Sequence, residues 1–201
     1  MPLSPRQLQD ILTDQANAIR ELRSIYATMD ASYTTTANGY GFECRGCDDS
    51  CCLTRFYHHT LVEAVGLFSG YRALPEDQRR LVTQGAKDYC RVVTEDERHS
   101  RRTRHLCPLN IDTQCLLYRQ RPMICRLHGI PHIMRHPHKG LISGTGCHIF
   151  EATCQSGSGS PLDRTPHYIA LANLEKTLRN ATGIKTPVRL TIAQMIACFE
   201  T

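Results

Sequence analysis

Eleven cysteines in 201 residues constrain this chain more than any other feature, because seven of them fall in two tight groups. The first group is Cys44-Arg45-Gly46-Cys47-Asp48-Asp49-Ser50-Cys51-Cys52, a C-x2-C-x3-C-C arrangement. Two cysteines separated by two residues can fold both sulfurs onto one metal across a tight turn, and Gly46 permits the left-handed backbone such turns use. Adjacent side chains of an extended segment point to opposite sides, so Cys51 and Cys52 are expected to serve different positions: two metals, one multinuclear centre, or a redox thiol beside the site. Residues Met1 to Gln7 (MPLSPRQ) lead into polar and apolar alternation with no uninterrupted apolar run, so export is not expected and a cytoplasmic location is. In that compartment thiols stay reduced, and clustered cysteines point to metal rather than to disulfides. The odd count leaves one thiol over even if every other cysteine were paired. An unrecognised export route would restore the disulfide reading.

The hydrophobic fraction of 41% and charged fraction of 21% are those of an ordinary folded chain, and no stretch reaches the ~18 apolar residues of a membrane span. Ser4-Pro5 caps a predicted long amphipathic helix over 5–30, with Leu8, Ile11, Leu12, Ile19, Leu22, Ile25, Tyr26 and Met29 recurring at three- and four-residue steps. Residues 31–42 (ASYTTTANGYGF) read as a loop, and 57–70 and 75–104 as two further helices. From Leu106 to Cys154 prolines, glycines and short apolar runs predict irregular structure that a metal could organise. A Gly/Ser linker at 155–161 follows, then a helix from Thr165-Pro166 to about Asn180 and a capping box at Thr191–Gln194 opening a last helix. The expected fold is mainly α: one helical domain with a long N-terminal helix and a loop-rich cysteine/metal core. Its parts are an N-terminal segment 1–42, a core 43–155 and a helical segment 156–201.

The second group is Cys107-Pro108-Leu109, Cys115-Leu116-Leu117-Tyr118 and Arg121-Pro122-Met123-Ile124-Cys125-Arg126. With the first group it resembles the zinc- or iron-chelating domain family of cysteine-cluster proteins. That family's pattern is C-x2-C-x2-C-C followed by C-P-x-L, C-x-x-Y and R-P-x-x-C-R. The downstream half matches closely, whereas upstream three residues rather than two separate Cys47 from Cys51. The resemblance covers roughly residues 42–130 and implies metal chelation, either iron–sulfur or zinc.

The expected metal ligands are Cys44, Cys47, Cys51, Cys52, Cys107, Cys115, Cys125 and, as the eighth, Cys147, with Cys154 its competitor. Arg121 and Arg126 are expected to contact the bound group, since guanidinium offsets thiolate charge; the alternative is that both are surface ion-pair partners. Cys90 and Cys198 read as core residues. His128, His132, His136 and His138 read as loop histidines or supports of the site, and His58-His59 as the pair nearest it.

The leading functional expectation is one or two [4Fe-4S] clusters serving electron transfer, with a protein redox partner. The alternative is a Zn2+ protein with a structural or metal-chaperone role. A formal charge of +5 with an arginine run at 98–104 lacks the aromatic interleaving of nucleic-acid binders. No G-x-S-x-G, P-loop or G-x-G-x-x-G sequence points to hydrolase or nucleotide chemistry.

Overall fold

In the computed structural model residues 4–44, 51–101, 104–154 and 159–200 are described, Cys51 for its backbone alone. Ser4 opens α1 (Pro5–Asp14) with the predicted cap: its hydroxyl accepts from the Gln7 N–H, and the Gln7 side chain accepts from the Ser4 N–H. The single helix expected over 5–30 breaks at Gln15 and resumes as α2 (Ala16–Gly39). α2 runs on through most of the threonine-rich stretch expected to be a loop. Thr28 and Thr34 donate to carbonyls four residues back, which satisfies their hydroxyls inside the helix, and Ala37 falls on the buried face with Tyr26 and Met29. Gly41, at φ +66°, then turns the chain so that the Phe42 N–H reaches the Ala37 carbonyl.

The centre of the molecule is α3 (Leu61–Arg72), in which every residue from Leu61 to Phe68 is buried. A helix apolar on all sides needs partners on all sides. α1, α2, α7 (Thr165–Thr182) and α8 (Ile192–Cys198) supply them. Glu175 of α7 accepts from the N–H groups of both Leu61 and Val62, so a carboxylate from another helix caps the start of α3. α2 approaches α3 at Gly66, where an added Cβ would lie 2.6 Å from Leu22 Cδ2. Leu22 is itself fully buried and has nowhere to retreat. Gly66→Val is therefore expected to destabilise the protein by about 1–3 kcal/mol, read as a lower urea midpoint with an unchanged slope.

α4 (Glu76–Arg98) packs along α8. It stops before the predicted 104 because Ser100 takes φ +53° and Asp96 gathers the following residues: its carboxylate accepts from Arg101 Nε (3.0 Å) and His105 Nε2 (2.7 Å). The capping box at Thr191 and Gln194 follows the sequence reading, whereas α7, expected to end at about Asn180, runs to Thr182 and stops at left-handed Gly183.

The middle of the chain requires the largest correction. Residues 104–154 are not a loop-rich core waiting for an inorganic organiser. Two hairpins, β1/β2 (Asn110–Ile111 and Gln114–Cys115) and β3/β4 (His132–His136 and Gly140–Gly144), pair their own backbone, and β5 (Leu162–Asp163) adds in parallel to β3. Two short helices, α5 (Met123–Arg126) and α6 (His148–Thr153), complete the segment. Leu109, Leu117, Met123, Leu127, Ile130 and Phe150 bury their side chains in the same apolar core as the helices. Ordinary burial, roughly 1.5–3 kcal/mol for each large side chain, holds this region against the helical body. The fold is thus mainly α-helical with a long N-terminal helix, and its core is apolar rather than cysteine-ligated. No helix among the described residues is long and apolar enough to cross a membrane.

Candidate functional site: a thiol-lined cavity

Three chain segments meet at one cavity of about 650 Å3. The first ends in a 3-10 turn at Cys51–Leu53. The second is the β1/β2 hairpin, whose two central residues, Asp112 (φ 47°) and Thr113 (φ 66°), both take the left-handed conformation of a tight two-residue turn. This turn sets Asn110 opposite Cys115, and the Asn110 N–H bonds back to the Cys107 carbonyl. The third is α5, which carries Cys125 and begins immediately after Pro122. A backbone hydrogen bond from Cys107 N–H to the Cys52 carbonyl, 2.9 Å, ties the first segment to the second.

Buried polar contacts fix α5. Glu63, a lone carboxylate within the apolar run of α3, accepts from the Met123 N–H (2.7 Å), the Thr60 hydroxyl (2.7 Å) and the Tyr26 hydroxyl (3.4 Å). Burial raises the Glu63 pKa, against the opposing pull of these bonds. At the other end of α5, Arg126 is buried over the Tyr26 ring. Its guanidinium donates to the Asp30 carboxylate at 2.5 Å, to the Arg121 carbonyl at 2.7 Å and to the Arg119 carbonyl.

Cys44, Cys52, Cys107, Cys115 and Cys125 all line this cavity, as do Arg121 and Arg126. Cys147 is not part of that lining; its sulfur accepts from the Phe150 N–H at the start of α6. Cys47 and the Cys51 side chain lie outside the described residues. Of the two arginines, Arg126 is a buried clamp of α5, whereas Arg121 stacks on Tyr118 with its guanidinium carbon 3.5 Å from the ring centroid. Arg121 also lowers the Cys115 pKa against the larger upward push of burial. Sequence reading missed Tyr26, Asp30 and Glu63, although a single glutamate inside Leu61–Phe68 was a visible signal.

Nine cysteines are described and none is in a disulfide. Burial pushes the Cys107 thiol up to about 12, and Cys52 and Cys115 add to the rise. Cys125 is raised further, by burial first and then by Cys107, Cys115 and Cys52. Burial therefore favours the thiol form of Cys107 and Cys125, with Cys52 and Cys115 near enough to act on both. They line the wall of one cavity. Among the described residues no group of three or more His, Cys, Asp or Glu side chains could hold a metal ion. That finding overturns the resemblance to the zinc- or iron-chelating family, the expected [4Fe-4S] or Zn2+ cofactor, the metal or cluster as partner, and the electron-transfer or metal-chaperone roles that depended on them. The chain matches no protein-family model, no curated protein and no solved structure.

His58 and His128 also line the cavity. The backbone of His58 bridges to Leu190, its ring is buried with Nε2 lacking a hydrogen-bond partner among the described residues, and burial lowers its pKa to about 4. Because the folded value lies below the unfolded one, neutral His58 contributes stability that is complete above pH 6.5 and is lost as the pH falls towards 4. The loss over this window is expected to reach about 3 kcal/mol. Urea unfolding of wild type and His58→Phe at several pH values measures it as the slope that the variant lacks.

Proposed function

We propose that this chain is a thiol–disulfide redox protein whose working thiols are drawn from Cys52, Cys107, Cys115 and Cys125. The carrying observation is the backbone hydrogen bond between Cys107 and Cys52. It holds the two residues side by side, within reach of the ~4.4–6.8 Å Cα separation that a disulfide spans. The oxidant is a low-molecular-weight disulfide. One thiolate of the pair attacks a sulfur of that disulfide, and the electron pair of the broken S–S bond leaves on the departing thiolate, which takes up a proton. The second protein thiol, on losing its own proton, attacks the mixed disulfide and releases the other half of the oxidant. The balance is a protein dithiol plus one small disulfide giving a protein disulfide plus two small thiols.

The raised thiol pKa values shape both steps. Thiolate is scarce at Cys107 at neutral pH, so attack by its sulfur is slow there and quickens as the pH rises towards 12. A basic thiol is also a poor leaving group, so the disulfide once formed resists reduction and the dithiol form is a strong reductant.

The test is to mix reduced protein with oxidised glutathione and count the thiols released. Two thiols per protein disulfide, lost in both Cys52→Ser and Cys107→Ser and retained in Cys198→Ser, are the expected result. Equal release by Cys52→Ser, Cys107→Ser and wild type, or no release from wild type at pH 9, would contradict the reading.

A further inference from the structure

A second cavity, of about 510 Å3, lies behind the first and shares Asp30, Tyr118 and Arg126 with it as a common wall. Its lining is divided by chemistry. Ile19, Leu22 and Ala27 of α2 form an apolar side, while Arg23 of α2 and Arg119, from the 3-10 turn at Tyr118–Gln120, stand at the opening with exposed side chains.

The charge on this wall does not balance. Three guanidinium groups, those of Arg23, Arg119 and Arg126, face one carboxylate, Asp30. Asp30 is already committed to Arg126 at 2.5 Å and approached by Arg121 at 3.9 Å. The two exposed guanidinium groups have no carboxylate partner among the described residues, which leaves two uncompensated positive charges beside an apolar surface.

We propose that this second cavity binds a small molecule carrying a phosphate monoester, with the phosphate held by Arg23 and Arg119 and an apolar or aromatic body against Ile19 and Ala27. A monoester is close to a dianion at neutral pH and so matches the two unpaired charges, which a singly charged carboxylate does not. Planar guanidinium groups present paired donors that fit phosphate oxygens, and Ser69 and Gln120 add neutral polar groups to the same lining. The site shares no thiol with the redox cavity, so its occupancy is measurable in protein whose cysteines have been reduced or alkylated.

Phenyl phosphate is the probe, with inorganic phosphate and benzoate alongside it, and titration calorimetry on the full chain is the readout. Saturable binding of phenyl phosphate is expected, at least about tenfold tighter than benzoate and weakening as sodium chloride is raised. Arg23→Gln and Arg119→Gln should each weaken it by about tenfold or more. Both side chains are exposed, and an unchanged thermal midpoint will show that the variants fold. Benzoate binding as tightly as phenyl phosphate, unchanged affinity in the double variant, or no saturable binding of phenyl phosphate would each overturn the proposal.

Discussion

Oxidation of the reduced protein by diamide is expected to raise its unfolding free energy by about 4 kcal/mol. A bond between Cys52 and Cys107 would close a loop of roughly 55 residues, and the chain-entropy cost removed from the unfolded state grows with the logarithm of that length. The native structure sets the two residues together through their own backbones, so little rearrangement should offset the gain. The segment enclosed contains α3 and α4, the central helix and the one packed on α8, so the link would tie the cavity to the body of the fold. Urea unfolding of reduced and oxidised samples measures the effect. The increase should disappear in Cys107→Ser. An unchanged midpoint in fully oxidised protein would mean that these two thiols do not form the stabilising pair.

Arg126→Met should cost about 3–5 kcal/mol, the largest loss expected from a single side chain near the cavity. Arg126 is buried, and its replacement leaves the carbonyls of Arg119 and Arg121 and the carboxylate of Asp30 without their donor. Methionine fills much of the volume and still covers Tyr26, so the loss reports the polar contacts rather than a cavity. Asp30→Asn, by contrast, keeps an acceptor on a half-exposed residue and should cost much less. Similar losses in the two variants would show that the contact with Asp30, rather than the grip on the two carbonyls, holds α5 in place.

The sequence carried the helical architecture well where local chemistry determines it. Ser4 with Gln7 and Thr191 with Gln194 are caps whose donors and acceptors lie within a few residues, and both open helices; Thr165-Pro166 stands at the start of α7, but the residue at the cap is Arg164 and no side chain bonds there. The continuation of α2 to Gly39 was hidden because threonine, serine and glycine composition suggests a loop. Back-bonding satisfies the Thr34 hydroxyl within the helix, and the burial of Ala37, which anchors 31–39, depends on the tertiary fold. Gln15 and Asp96, which interrupt and terminate helices, act through backbone torsion and a carboxylate's reach, for which periodicity has no signal.

The candidate site was legible in part. Spacing brought attention to Cys52, Cys107, Cys115 and Cys125, and the structure brings all four to one cavity. The step from gathered sulfurs to metal went too far, because the spacing of cysteines along the chain says which thiols can approach one another but not whether they converge on one point. The β1/β2 hairpin and α5 bring Cys115 and Cys125 to the cavity lining, while the neighbouring aliphatic residues Leu109, Leu117 and Met123 enter the apolar core. Cys147, read as an eighth ligand from its position after Gly144-Thr145-Gly146, lies outside the cavity lining and caps α6. Asp30, Tyr26 and Glu63 come from helices distant in sequence, and only the folded arrangement shows that they steady the segment bearing Cys125.

Peptide mapping by mass spectrometry, on protein oxidised with a small disulfide and digested without reduction, is the most direct measurement of whether this cavity works through paired thiols. A cross-linked species joining the peptide of Cys52 to that of Cys107, absent from reduced protein and restored to two separate peptides by a reductant, is the expected result. Recovery of both peptides unlinked after complete oxidation, with bridges found only between molecules or among other cysteines, would contradict it.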